Sequence, residues 1–449
     1  MSSPAPARRR LRPTATAAVA LALALPVALP AAVPGPLGPD VAAAAKKKPA
    51  KKKAKKPKYT VEGELRKLRS AGDISAADRS AWRTLYRDVV ARAKALPKGT
   101  AKSELEGVVE SVDTIAAGRD LTASLAPSVF LTLQVNREWW TTRPAPPAGS
   151  RPVIAGSPLT WQYYRGEGLQ IQWLATFGTA NALATTTTPA KLEQLRAIQD
   201  EALRLASDRA GGPAWQYLFA FGGGKPPWAS GMAQATAMQS LVRTSQKLGD
   251  PKYRETALRA VQLLRRSAPT GARLKGGSGD HLLLYTYSRM RVLNAFSQAV
   301  SALHEISTAT QDGKVNALYV RAERQLRAEL PDYDTGTWAR YSLGGANETP
   351  SYHLLSRDNL RALCAKLGAD ATAFAEGRPV AGARQPADPA PYCAMATRFT
   401  RDLQLTPNGP KAKSRASTRS AARAGTQEAT VPAPRDPGAA VADPALRQP

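Results

Sequence analysis

The chain has 449 residues and a formal net charge of +28, from 63 Lys and Arg residues against 35 Asp and Glu residues. This length allows one large domain or two domains of ordinary size. Most of the excess charge lies at the two ends. The sequence between them has no basic helix, zinc-ligand spacing or RNA-module motif, which argues against nucleic acid as a partner.

The N-terminus has the pattern of an export signal. A cluster of arginines at positions 8–12 precedes an apolar run over 16–32, which Pro26 and Pro30 interrupt. A basic segment followed by a short apolar one is typical of a secretory signal, whereas a membrane anchor needs about 20 uninterrupted apolar residues. We therefore predict a signal peptide over residues 1–45 and a secreted or cell-surface protein. The Ala- and Arg-rich composition is typical of bacteria.

Residues 46–58 form a lysine-rich segment that Pro49 and Pro57 interrupt. Like charges and prolines predict a solvated, self-repelling linker. Close to a membrane, this charge can attract anionic lipids or cell-wall polymers. A spacer without such contacts is the alternative.

The body of the chain shows mainly helical periodicity. Apolar residues recur at three- and four-residue spacing over 63–71, 75–95, 102–117, 189–210, 232–248, 251–268, 293–310 and 315–329. Strand patterns are short and lie at 129–134, 152–154, 159–164, 170–175 and 217–221. The pattern predicts a mainly α fold. Paired helices joined by Gly- and aromatic-rich loops fit an α/α toroid with a few short strands, preceded by a helical N-terminal region over 59–125.

The C-terminal part contains the only two cysteines, Cys364 and Cys393. Because an exported chain folds in an oxidising compartment, we predict that they form a disulfide, worth about 3 kcal/mol through chain entropy. Neither has the histidine and acid neighbours of a thiol nucleophile. Pro, Ala, Ser and Thr then dominate, which predicts a disordered tail over 401–449.

The segment 330–360 places two tyrosines, Tyr341 and Tyr352, among turn-forming residues. Asp334 to Gly336 and Gly344-Gly345 are turn signals, and Pro350 restricts the residue before it to an extended conformation. Side chains on such loops often bind ligands or transfer protons. We therefore treat the two tyrosines as candidate site residues.

Four blocks of sequence occur in the order found in a known family. They are YYRGEGLQIQWLATFG at 163–178, PPWASGMAQ at 226–234, LYTYSRMRVLNAF at 284–296, and LPDYDTG followed by Tyr-Ser and Tyr-His within 330–353. Together they resemble the D-glucuronyl C5-epimerase family. The resemblance implies an epimerase-like domain over 126–400, an α/α toroid from about 200 to 365, and an isomerase that converts glucuronate to iduronate units in an acidic polysaccharide. It implies no redox cofactor, and the sequence shows no cluster of metal ligands.

The resemblance also implies roles for individual residues. Tyr341 and Tyr352 match essential tyrosines of the family, and Tyr285 matches a third, with Tyr287 as the alternative. The sequence differs from the family pattern at one position, where Thr236 replaces a glutamate. His353 matches the family's Tyr-His pair.

Inverting C5 of glucuronate requires removal of the hydrogen beside the carboxylate and return of a proton to the opposite face. Tyrosine can transfer these protons if cations or hydrogen bonds lower its pKa from about 10. A cation must also neutralise the substrate carboxylate. We expect Arg340 or Arg357 in that role, followed by Arg289 or Arg291.

Further substrate contacts are expected from three other side chains. We expect Trp228 to stack on a sugar ring and both Gln234 and His353 to contact substrate. Each has a structural alternative: tryptophans often fill cores, and His353 can brace the helix that follows it.

Three other classes of protein remain open. A polysaccharide lyase would begin with the same proton removal and then eliminate the C4 substituent. A glycoside hydrolase would need two opposed carboxylates. The available acids, Glu167, Asp334, Glu348 and Asp358, show no recognisable pair. A non-catalytic polysaccharide-binding protein is the third alternative, because Thr236 replaces the family glutamate.

Overall fold

The computed structural model describes residues 59–383 and 385–410. The predicted signal peptide, the Lys-rich linker and residues 411–449 of the predicted tail lie outside these described residues. Within them, no helix combines the length and the apolar character that crossing a membrane requires.

Four helices form the N-terminal part of the described chain: α1 (Val61–Ala71), α2 (Ala76–Ala95), α3 (Thr100–Ala117) and α4 (Ala126–Thr142). Side-chain caps start the first two, because the Thr60 hydroxyl accepts from Gly63 N–H and Ser75 forms a capping box with Asp78. Helix α4 packs against α2 and α3. Helix α4 lies beyond the domain boundary predicted at 125, and this boundary stays a prediction.

The strand predicted at 129–134 is wrong, because these residues lie inside α4. Ala126, Val129, Phe130 and Leu133 are all buried, and their spacing puts them on one helical face. Residues 152–154 form no strand either. Packing against two helices outweighs the local strand preference of the β-branched and aromatic residues.

Short antiparallel hairpins precede several of the later helices. They are β1 (Trp161–Tyr164) with β2 (Gly168–Ile171), β3 (Ser207–Arg209) with β4 (Gly212–Ala214), β5 (Gln216–Tyr217) with β6 (Trp228–Ala229), and β7 (Arg273–Lys275) with β8 (Asp280–Leu282). The strand predicted at 170–175 ends early, because the Gln172 side chain caps a helix that begins at Trp173.

Helices α5 (Trp173–Leu183), α7 (Gly231–Leu248), α10 (Leu293–Thr310) and α12 (Pro350–Ala375) pack side by side in that order, and we call them the central helices. Each packs on an outer helix that follows it in the chain: α6 (Pro189–Arg204), α8 (Pro251–Ala260), α11 (Gly313–Glu329) and α13 (Ala390–Leu405). A short α9 (Gln262–Arg265) and 3-10 turns at Leu330–Tyr333 and Ala381–Ala383 complete the described elements. The predicted fold class, mainly α with an α/α toroid and a few short strands, is confirmed.

Three predicted boundaries need correction. The helix predicted at 189–210 ends at Arg204, and the one predicted at 251–268 is divided after Ala260. Residues 401–405, predicted as the start of the disordered tail, form the end of α13, in which Phe399 and Asp402 are buried. Burial of one face stabilises α13. The amino-acid composition of the segment does not indicate this burial.

The predicted disulfide is confirmed. Cys364 on α12 is bonded to Cys393 on α13, and the two are 29 residues apart in the chain. The bond therefore ties the last central helix to its outer partner.

We expect reduction of this disulfide to lower the free energy of unfolding by about 3 kcal/mol, because the unfolded chain regains the entropy of an open loop. Denaturant titration with and without reductant measures the difference. A Cys364→Ser/Cys393→Ser double variant should already have the lower stability and should not respond to reductant. An equal response in the variant would contradict the assignment.

A polar cluster joins the C-terminal halves of three central helices. Arg243 on α7 and Lys366 on α12 both contact the carboxylate of Glu305 on α10, with Lys366 Nζ 3.4 Å from Glu305 Oε2. Gln239 Nε2 also donates to Glu305, at 2.7 Å. Burial opposes ionisation, but the hydrogen bond from Arg243 and the charges of Lys366 and Arg243 outweigh it and lower the pKa of Glu305 to about 2.

This cluster predicts a specific loss of stability in acid. The folded pKa of Glu305 lies below its unfolded value of 4.5. Its contribution is therefore present above pH 4.5 and is lost as the pH falls towards 2. From the size of the shift, about 3 kcal/mol should be lost over this range. Unfolding free energies measured across it should fall more steeply for the wild type than for Glu305→Gln. An exposed control, Glu106→Gln, should follow the wild type, and equal slopes for all three would contradict the prediction.

Candidate active site

The candidate site lies where the chain enters the central helices. The segments leading into them contact one another: the Tyr164 ring packs on Phe219, Phe221 packs on Tyr285, and Leu293 N–H donates to the Tyr341 carbonyl. The starts of the central helices therefore share one end of the fold. We call these segments the entry loops.

The structure brings together the two tyrosines singled out in the sequence. Tyr341 lies in the entry loop of α12, and Tyr352 lies in the first turn of the same helix, which Thr349 caps. Their ring centroids are 5.2 Å apart and the ring planes meet at 60°. Tyr341 is 4% exposed, whereas Tyr352 is half-buried. Two tyrosine rings from separate elements therefore meet at one place.

Backbone hydrogen bonds fix the Tyr341 segment to the start of α10. Leu293 N–H donates to the Tyr341 carbonyl at 3.1 Å, and Leu343 N–H donates to the Arg291 carbonyl at 3.1 Å. The Tyr333 hydroxyl donates to the same Arg291 carbonyl at 3.1 Å. The entry loops of α10 and α12 thus form one unit, and the position of Tyr341 depends on it.

The buried carboxylate of Glu329 supports this unit through hydrogen bonds. It receives hydrogen bonds from His281 Nδ1 at 2.8 Å, Gln325 Nε2 at 2.7 Å and Arg291 Nη1 at 3.2 Å. Burial opposes its ionisation, but hydrogen bonds and charge from His281, Gln325 and Arg291 lower the pKa of Glu329. Because Arg291 already pairs with a carboxylate, the structure places it in the support of the loops.

His353 lies inside the packing on the other side of the loop. Its side chain is 0% exposed, stacks on Trp338 with centroids 3.9 Å apart, and accepts from Ala339 N–H at 3.3 Å. Nearby, the Ser356 hydroxyl donates to Glu348 at 2.5 Å, and burial raises the pKa of that carboxyl. The expected contact between His353 and substrate is contradicted by this burial. His353 braces the loop that carries Tyr341.

Trp228 and Gln234 are also buried, contrary to the substrate contacts expected of them. Trp228 donates from Nε1 to the Phe219 carbonyl at 2.8 Å and packs inside a group of aromatic rings. Gln234 Nε2 donates to the carbonyls of Pro213 and Ala260 at 2.8 and 2.9 Å. Both side chains hold the entry loop of α7 in place.

Tyr285 and its alternative Tyr287 lie in the same aromatic group. Their rings stack with centroids 5.4 Å apart, and both contact Trp228 at 5.5 Å. Tyr285 is buried, and Tyr287 is half-buried. Burial raises the pKa of Tyr287, so its phenol stays protonated at neutral pH.

The candidate arginines differ in whether a carboxylate of the protein already pairs with them. Arg357 Nε donates to Asp358 at 2.7 Å, and Arg291 pairs with Glu329. The Arg340 guanidinium donates to the Gly345 carbonyl, at 3.2 Å, and pairs with no carboxylate of the described residues. Arg289 is exposed. Arg340, next to Tyr341 in the chain, is therefore the best placed cation for a substrate carboxylate.

Two features of the site were missed in the sequence. Glu104 on α3 binds the RGEG hairpin, accepting from Gly166 N–H at 2.7 Å, Gly168 N–H at 3.0 Å and the Tyr163 hydroxyl at 2.9 Å. Asn294, fully buried beside Leu293, has a side-chain amide without a hydrogen-bond partner among the described residues. A polar residue within the apolar block VLNAF was the available signal for Asn294.

Within the described part, no group of three or more His, Cys, Asp or Glu side chains is arranged to hold a metal ion. Thr236, at the position of the family glutamate, bonds to the Met232 carbonyl and accepts from Gln298. No carboxylate occupies that position in this chain.

Residues 212–375 match the family described as D-glucuronyl C5-epimerase C-terminus. This stretch contains the tyrosine pair, Arg340 and the central helices α7, α10 and α12. The similarity is to the C-terminal domain of that family. The match supports a carbohydrate epimerase-like function for this domain, and it confirms the resemblance found in the sequence.

Solved structures give weaker similarities. A sugar epimerase from a ruminal bacterium is 14% identical over 52% of this chain and 59% of its own, with a TM-score of 0.37. Cellobiose 2-epimerase from Spirochaeta thermophila is 13% identical over 52% of this chain and 57% of its own, at 0.32. Endo-beta-1,4-glucanase CMCax from Acetobacter xylinum is 11% identical over 56% and 94%, at 0.34. The chain spans less than two thirds of either epimerase, and scores this low carry no argument about activity. No curated protein matches the sequence.

Proposed function

We propose that this protein is a glucuronyl C5-epimerase that converts glucuronate to iduronate units within an acidic polysaccharide. One observation carries the proposal: Tyr341 and Tyr352 meet with ring centroids 5.2 Å apart inside the segment that matches the epimerase family. The predicted signal peptide is consistent with a polymer outside the cell.

The reaction requires two proton transfers at one carbon. One tyrosine, as phenolate, takes the C5 hydrogen, and the electron pair left on C5 is delocalised into the neighbouring carboxylate. The other tyrosine, as phenol, gives a proton to the opposite face and becomes the phenolate. Exchange with solvent restores both groups. Placement of an acid and a base in this way contributes about two to four powers of ten each.

The carboxylate needs a cation, since it gains negative charge as the C5 proton leaves. Arg340 suits this role because its guanidinium has no competing carboxylate among the described residues. A cation at that position also favours the phenolate form of a neighbouring tyrosine. The loop that carries Arg340 and Tyr341 is braced by His353 and by the Glu329 network, so the two groups keep a fixed spacing.

Incubation with a glucuronate polymer in deuterated water tests the proposal. We expect deuterium at C5 and new iduronate units, with the chain length unchanged. New ultraviolet absorbance from an unsaturated uronate would indicate a lyase, and new reducing ends without unsaturation would indicate a hydrolase. Binding without any exchange would leave only a polysaccharide-binding protein. Each of these three results would contradict the epimerase proposal.

A further inference from the structure

Three half-buried aromatic side chains lie together on the entry loops, at some distance along the chain from the tyrosine pair. They are Tyr164, Phe221 and Tyr287, and we call them the aromatic patch. The rings of Tyr164 and Phe221 are 6.3 Å apart, and both Phe221 and Tyr287 contact the buried ring of Trp228, at 6.0 and 5.5 Å. The patch is therefore a continuous surface over a buried aromatic core.

The geometry of the patch is fixed by a tight turn. Phe221 and Gly224 exchange backbone hydrogen bonds of 3.1 and 2.8 Å across Gly222 and Gly223, which have positive φ values of 53° and 85°. A Cβ added to Gly224 would lie 2.3 Å from the Tyr287 ring. Glycine at position 224 is therefore required for the turn to pack against the Tyr287 ring. The same turn fixes the position of Phe221 next to Tyr287.

Each member of the patch is followed closely by an exposed cation. Arg165 follows Tyr164 directly, Lys225 follows the Phe221 turn, and Arg289 lies two residues after Tyr287. None of these three cations forms an ion pair with a described residue, whereas many other arginines of the chain do. Three exposed cations without an ion pair among the described residues therefore lie next to members of the patch in the chain.

The neighbouring acid Glu167 forms no ion pair with these cations. Glu167 lies on the same hairpin as Arg165, but its carboxylate accepts from the Ser111 hydroxyl at 3.1 Å and from Ala220 N–H at 3.3 Å. Burial raises its pKa, opposed in part by these hydrogen bonds. Its side chain is engaged with α3 and the α7 entry loop, and it forms no ion pair with any of the three cations.

We propose that the aromatic patch and its three cations bind sugar units of an acidic polysaccharide next to the unit that reacts. Aromatic faces pack on the apolar faces of sugar rings, and Lys and Arg pair with uronate or sulfate groups. Tyr287 lies six positions before Leu293, whose N–H donates to the Tyr341 carbonyl, so the chain from the patch to this contact spans at most about 20 Å. A short stretch of polymer can span this distance. The inference relies on the proposed function only for the class of polymer.

The test compares the affinity of two variants of the full chain for heparosan polymer, for a heparosan tetrasaccharide and for neutral dextran. The first is Arg165→Gln/Lys225→Gln/Arg289→Gln. The second is a matched control of equal charge, Arg66→Gln/Lys191→Gln/Lys314→Gln, whose members are exposed and distant in sequence from the patch. Unchanged thermal unfolding establishes that both variants fold.

We expect the patch variant to bind the polymer at least tenfold more weakly, with a smaller dependence of affinity on salt, and the control variant to bind as the wild type does. Phe221→Ala should also weaken polymer binding. The loss of affinity for the tetrasaccharide should be smaller, because this short oligosaccharide can bind at the tyrosine pair without reaching the patch. Equal polymer affinity of the patch variant and the control, or no polymer binding by the wild type, would overturn the proposal.

The same experiment separates this inference from the proposed function. If the wild type binds heparosan through the patch but exchanges no C5 hydrogen, the epimerase proposal fails and the binding site stands. If exchange occurs and the patch variant keeps full polymer affinity, the binding site fails and the epimerase proposal stands.

Discussion

Replacing either tyrosine of the pair with phenylalanine should lower the rate of iduronate formation by about 10²- to 10⁴-fold. Phenylalanine keeps the 5.2 Å ring contact but removes the hydroxyl that transfers the proton. The measurement is the initial rate of conversion of a glucuronate polymer by Tyr341→Phe and by Tyr352→Phe, with polymer affinity determined alongside.

Tyr86→Phe provides the matched control. The Tyr86 hydroxyl donates to Asp113 in the N-terminal helices at 2.6 Å, away from the entry loops. The Tyr86→Phe variant should epimerise the polymer at the wild-type rate, although it also lacks a tyrosine hydroxyl. A similar loss in all three variants would indicate a general effect on folding, and near wild-type rates for the site variants would contradict the assignment.

The second large effect is expected at Arg340. Replacement by Gln removes the cation next to Tyr341, so the negative charge that develops on the substrate carboxylate loses its partner. We expect a fall of about 10²- to 10³-fold in kcat/KM, with much of it in kcat, since this charge is largest in the transition state. Steady-state kinetics with an oligosaccharide of defined length separates the two parameters.

Two further variants sharpen this result. Arg340→Lys keeps the charge without the planar fork of donors and should recover part of the lost rate. Arg92→Gln, which removes an exposed arginine paired with Asp88 on α2, should have no effect. If Arg340→Gln keeps the wild-type kcat, another group neutralises the carboxylate.

Much of the fold followed from local rules. The helix Leu293–Thr310 was predicted to the residue, and α2 began next to the predicted start at Ser75, where a capping box is present. The helix at Ala126–Thr142 was missed because its apolar run contains β-branched and aromatic residues, and the packing that decides its conformation comes from α2 and α3. Local preference cannot report such contacts between helices.

The candidate site was predicted in part. The tyrosine pair was identified because both members stand among turn residues, and the structure brings their rings into contact. His353 was assigned to substrate because it follows Tyr352. Consecutive residues of a helix point about 100° apart. Tyr352 therefore faces Tyr341 while His353 faces Trp338. Adjacency in the chain does not determine which residue faces the ligand.

The aromatic residues show the same limit. Trp228 was expected to contact sugar, yet it forms the buried layer beneath Phe221 and Tyr287. A large aromatic residue on a loop can be core or surface. Whether such a residue is buried depends on which loops cover it, and the sequence does not specify how the entry loops pack on each other.

The most direct test of two phenols acting on opposite faces of one sugar is solvent exchange started separately from each epimer. Tyr341→Phe and Tyr352→Phe are incubated in deuterated water with glucuronate polymer and, separately, with iduronate polymer. We predict complementary behaviour: each variant exchanges the C5 hydrogen of only one epimer, a different one for each variant, and neither inverts it. Exchange of the same epimer by both variants, or of both epimers by either one, would contradict the account.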